Sequence, residues 1–171
     1  MMSRKALVLA AGVFVAPLVQ AAKLAVSVEI PRLQVAEYHR PYVAMWLENE
    51  RNEVTNLAVW YDIAMRENEG QEWLKDMRQW WRRSGRTLKL PVDGLTGATK
   101  PPGEHRLIFG EGGQPLPDLP AGQYRLRIEA AREVGGRELL EIPFQWPVSE
   151  ETLVEVSGSK ELGMVKLQLQ P

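Results

Sequence analysis

Apolar and polar residues alternate in short runs along most of this chain, and a period of two is the signature of half-buried strands. Leu24, Val26, Val28 and Ile30 alternate with Lys23, Ala25, Ser27 and Glu29. Tyr42 to Leu47 and Leu57 to Tyr61 are two further β-rich runs, and the polar stretch Glu48 to Glu53 between them reads as a hairpin loop. Arg106 to Phe109, Tyr124 to Glu129, Leu139 to Trp146 and Met164 to Leu169 also read as strands. Turn residues at Pro120-Ala121-Gly122 and Val134-Gly135-Gly136-Arg137 punctuate the series, and Gly110 to Pro120 is a loop by its glycine and proline content. About seven short strands with turns between them predict an all-β fold, an immunoglobulin-like antiparallel β-sandwich spanning residues 22–171 as a single domain. A small barrel would use the same strands.

One segment keeps a different period. Trp73, Leu74, Met77, Trp80 and Trp81 recur at helical spacing, with Lys75, Asp76, Arg78, Gln79, Arg82 and Arg83 turned elsewhere. This predicts one amphipathic helix inserted between strands, from about Gln71 to Arg83, stopped by Ser84-Gly85. Its tryptophan stripe either packs the helix onto the sheet or walls a planar ligand.

The amino terminus reads as an address. Arg4 and Lys5 form a positive region, Ala6 to Val19 an apolar stretch, and Val19-Gln20-Ala21 ends on small residues suited to signal peptidase. The stretch is shorter than the roughly 20 residues that span a bilayer as a helix. The expectation is a cleavable signal peptide over residues 1–21 and a mature periplasmic chain from Ala22 with no transmembrane segment; an uncleaved anchor is the alternative. With no cysteine anywhere, lipoprotein anchoring, disulfides, thiolate catalysis and Cys-ligated metal centres are excluded. A balance of 21 Lys and Arg against 22 Asp and Glu argues against nucleic acid as a partner. His39 and His105 stand apart from any hydrolase or metal motif, and neither a dinucleotide fingerprint nor a P-loop is present. Glu48, Glu50 and Glu53, like Glu67 and Glu69, read as solvated loop charges.

Residues 93–99 read Asp-Gly-Leu-Thr-Gly-Ala-Thr. They resemble the acceptor motif for covalent flavinylation, Asp-x-x-Ser/Thr-Gly-Ala-Ser/Thr, recognised by exported FAD:protein FMN transferases of the ApbE type. The resemblance implies FMN joined by a phosphoester to Thr99, with Asp93, Thr96, Gly97 and Ala98 as recognition residues. Gly97 and Ala98 keep the approach to Thr99 narrow, while Asp93 and Thr96 can hydrogen-bond nearby backbone and hold a protruding turn. Pro101, Pro102 and Gly103 then favour an exposed loop over about residues 93–103. The competing reading makes Asp93-Gly94 a hairpin turn within an ordinary loop. Arg82, Arg83, Arg86, Lys89 and Lys100 flank the motif and either attract a phosphate or form a solvated basic surface. His105 lies close enough in sequence to sit near a flavin, or is a plain surface histidine.

Tyr42 to Asp62, the Trp-rich segment, Asp93 to Gly103 and Leu119 to Glu129 together resemble a family of predicted periplasmic proteins of unknown function, DUF2271. That family often accompanies PepSY-domain membrane proteins and an FMN transferase. The resemblance implies a flavoprotein that carries electrons between a PepSY-type membrane partner and a periplasmic acceptor, in iron reduction or uptake. In such a module the chemistry belongs to the cofactor and the protein positions and tunes it. A cofactor-free binding or adaptor module, and a flavin reductase of ferric chelates, are the alternatives.

Overall fold

A computed structural model describes residues 22–171; the expected signal peptide lies outside the described residues. In chain order the strands are β1 (Lys23–Ile30), β2 (Tyr42–Asn49), β3 (Val54–Tyr61), β4 (Thr96–Ala98), β5 (Gly103–Gly110), β6 (Gly122–Ala131), β7 (Arg137–Trp146), β8 (Thr152–Ser157) and β9 (Met164–Gln170). They form a four-stranded sheet, β5-β1-β9-β8, and a five-stranded sheet, β4-β3-β2-β6-β7. The two sheets share no strand, so the fold is the expected sandwich and not a barrel. Every pairing is antiparallel except β3 with β4, which is parallel. β4 and β8 fall where no strand was expected. The first is only three residues long, and the second alternates over only the six residues Thr152–Ser157, so neither carries a long alternating run.

Alternation explains the core between the sheets. Leu24, Val26, Val28 and Ile30 of β1 meet Val43, Met45 and Leu47 of β2, Leu126 and Ile128 of β6, and Val165, Leu167 and Leu169 of β9. A second apolar cluster lies on the outer face of the five-stranded sheet, where Ala44, Trp46, Val59 and Tyr61 are covered by Leu74, Met77 and Trp80. β2 is therefore buried on both faces, which its near-continuous apolar sequence requires.

The covering segment is not the single helix that its spacing suggests. A 3₁₀ stretch, Arg66–Asp76, is interrupted near its start by positive φ at Glu67 and Asn68. It breaks at Met77 and continues as α1 (Arg78–Arg83) and a 3₁₀ turn, Gly85–Thr87. With three residues per turn, a 3₁₀ segment eclipses positions three apart. Leu74 in the 3₁₀ stretch, Met77 at the break and Trp80 in α1 all lie on the inner side and are buried, whereas Trp73 is 47% exposed. The register is set from below: the buried Glu129 of β6 accepts hydrogen bonds from the Gln79 and Trp80 amides at 2.9 and 2.8 Å. Trp80 Nε1 donates to Asn56 on β3 at 2.8 Å. Among the described residues no helix is long and apolar enough to cross a membrane.

β2 also runs further than expected, which takes Glu48 out of the loop. Glu48 is fully buried, with Arg127 Nε at 2.8 Å and Arg83 Nε at 3.3 Å as ion pairs. Glu50, Glu53, Glu67 and Glu69 are exposed, as their polarity suggests.

Candidate functional site

The Asp93–Thr99 segment is half turn and half strand, which corrects the expectation of a loop over 93–103. Gly94 takes φ 74°, a conformation natural to glycine, inside the turn Asp93-Gly94-Leu95. Thr96 closes the turn from both sides. Its Oγ1 accepts the Val92 amide at 2.9 Å, and its own amide donates to the Val92 carbonyl at 2.9 Å. Asp93 is exposed on the same turn. The turn does not make a hairpin, because β4 leaves it parallel to β3, with Val59, Trp60 and Tyr61 opposite Thr96, Gly97 and Ala98.

Gly97 lies against the indole of Trp60. A Cβ built there would stand 3.0 Å from Trp60 Cδ1, so a side chain at this position would have to displace the indole by a few tenths of an ångström. Ala98 is exposed and Thr99 is half-buried, with its amide donating to the Tyr61 carbonyl at 3.2 Å. Beyond Thr99, Lys100 Nζ lies 5.3 Å from the Trp60 ring centroid. His105, on β5, packs edge-on against the same indole at 5.9 Å and has its Nε2 2.8 Å from the Pro101 carbonyl oxygen. β4 and β5 are edge strands of different sheets, so Thr99 sits where the chain crosses from one sheet to the other.

Thr99 and Ala98 form part of the wall of a cavity of about 620 Å³, a size typical of small-ligand sites. Further parts of the wall come from the segment before β2 (Tyr38, His39, Arg40), from Tyr42 and Asp62, from Trp73 and Asp76, and from the β6–β7 turn (Arg132, Glu133, Val134). Arg132 is deeply buried and held by Glu161 at 2.8 Å, and its Nη1 has no hydrogen-bond partner; neither has the Tyr38 hydroxyl. Burial pushes the Tyr42 phenol above its ordinary range; a hydrogen bond from Asp62 works the other way, while the nearby charges of Asp62 and Glu133 add to the rise.

The structure thus brings Thr99 together with residues that no motif marks. Tyr38, His39 and Arg132 lie in connecting segments without periodicity, and only their folding onto one end of the five-stranded sheet makes them neighbours. The basic residues that flank the motif in sequence are differently engaged. Arg83 pairs with Glu48 and Lys100 lies on Trp60, so the cations lining the cavity beside Thr99 are Arg40 and Arg132. Asp93, Gly94 and Thr96 line a separate, smaller pocket on the other side of Tyr61 and Asp62. Of the three tryptophans in the covering segment, Trp73 reaches the cavity and Trp80 is buried in the outer apolar layer.

No curated protein is similar to this chain in sequence. Among solved structures, the human group IVD cytosolic phospholipase A2, in complex with methyl γ-linolenyl fluorophosphonate, aligns with 88% of this chain at 12% identity and a TM-score of 0.30. This chain spans 17% of the length of that protein, and so remote a likeness carries no argument about function. Residues 23–164 match the family described as predicted periplasmic protein, DUF2271, and the chain belongs to that family.

Proposed function

We propose that this chain is a periplasmic electron-transfer module that carries FMN in phosphoester linkage on Thr99. Its partners on this reading are an ApbE-type transferase, which loads it, a PepSY-type membrane protein, which supplies electrons, and a periplasmic acceptor in iron reduction or uptake. The observation that carries the reading is the complete Asp93-to-Thr99 motif held at a sheet edge, with Thr99 half-exposed beside a ligand-sized cavity.

A threonine hydroxyl is a weak nucleophile, so the transferase supplies the activating base and metal. Thr99 Oγ1 attacks the FMN phosphorus of FAD, the pyrophosphate P–O bond breaks, AMP leaves and the hydroxyl proton passes to the transferase. Gly97 contributes by letting β4 lie close against Trp60, and Thr96 by holding the turn that leads into it. Bound FMN supplies one- and two-electron transfer. The chain's own contribution is to position it and exclude solvent from one side.

The test is intact mass of the protein exported to the periplasm together with an active FMN transferase. The expected product begins at Ala22 and gains the mass of FMN less one water. Thr99→Ala abolishes the gain and Thr99→Ser retains it. An unmodified Thr99, with the transferase active on a known acceptor, overturns the reading and leaves a cofactor-free adaptor.

A further inference from the structure

We infer that the cavity beside Thr99 is the seat of the flavin's isoalloxazine ring, an inference that rests on FMN being attached to Thr99. Four features of the wall fit a planar, carbonyl-rich group tethered there. Thr99 itself belongs to the wall, so the tether begins at the cavity. Trp73 is a large apolar side chain left 47% exposed while its neighbours Leu74 and Met77 are buried, and it lines the cavity. An indole so exposed offers its face to another aromatic ring. Arg132, whose side chain is 6% exposed, has a buried Nη1 without a partner, and the Tyr38 hydroxyl is also buried and unpaired. Buried donors left unpaired are costly, and the carbonyl oxygens of the ring's pyrimidine edge are acceptors suited to both.

The seat therefore has an apolar wall at Trp73 and unpaired donors on its wall residues Tyr38 and Arg132, beside the carboxylates Asp62, Asp76 and Glu133. A hydrogen bond donated to the pyrimidine edge favours the electron-rich reduced ring, so the seat sets the potential as well as the position.

The protein to use is the exported, FMN-loaded chain, with loading established by intact mass. Its flavin fluorescence is expected to be strongly quenched relative to free FMN and protected from iodide. Trp73→Ala is expected to restore fluorescence several-fold and to admit iodide, with Trp73→Phe between the two. Tyr38→Phe, which removes one oxygen, is expected to lower the midpoint potential with the mass gain unchanged; an unmoved potential overturns the donors' role. If loading is complete but the wild type is as bright and as iodide-accessible as free FMN, or Trp73→Ala leaves the quenching intact, the seat is overturned and attachment at Thr99 stands. If no mass is gained, attachment falls and the seat falls with it.

Discussion

Single residues carry much of the order in this molecule, and two carboxylates show how. Glu48 has water on neither side, and its charge is matched by Arg127 and Arg83 across the outer face of the five-stranded sheet. Arg127 also holds Glu141 at 2.9 Å. Glu48→Ala is expected to cost about 3 kcal/mol in urea denaturation, the low end for breaking a buried pair, because Arg127 keeps Glu141. Glu138 is satisfied differently, accepting the Ser159, Lys160, Glu161 and Leu162 amides at 2.7 to 3.0 Å. Its partial burial works against ionisation, but the hydrogen bonds together outweigh burial and hold its carboxyl below the usual range. Stability from a depressed carboxyl pKa is fully present above the unfolded value, about 4.3, and is lost as pH falls through the folded value. Glu138→Gln is expected to be less stable than the wild type at pH 7, with the gap closing in denaturation curves taken below about pH 4. Sequence alone reads Glu48 as a solvated loop charge and nothing in it marks Glu138, because what distinguishes them is a partner from another strand or loop.

At the scale of elements, legibility follows the regularity of the local pattern. β1 was readable because four alternate apolar residues all reach the same core, and the two sheets follow from repeating that logic. The covering segment was readable as non-strand but not as 3₁₀, because its apolar residues fit both a three-residue and a 3.6-residue turn. The distinction lies in hydrogen bonds from Glu129 and Asn56, which are remote in sequence. It has a measurable consequence. Trp80→Ala is expected to cost about 3–5 kcal/mol by removing a fully buried side chain. Trp73→Ala, on the outward side, is expected to stay within about 0.5 kcal/mol in the unloaded protein. A continuous helix with one tryptophan stripe would make the two costs similar. The Asp93–Thr99 run is legible as a motif, but β4 is not: three residues in parallel pairing leave no periodic trace, and the cavity beside them is assembled from five separate segments.

The elements of the molecule are unequally fastened. β2 is clamped between two apolar layers and two neighbouring strands, whereas β4 has three residues, one neighbour and an outer edge open to solvent. Local opening free energies follow such differences. In native-state hydrogen exchange the Thr96 and Thr99 amides are expected to exchange orders of magnitude faster than those of Val43 to Leu47, and the idea fails if the two groups exchange together. On the proposed function, Thr99 has to be grasped by another enzyme and afterwards returned to its place. A strand fastened by three rungs behaves like the loose end of a zipper. It can be drawn out and closed again while the rest of the garment stays shut, which is what the proposed loading of an already folded chain would require.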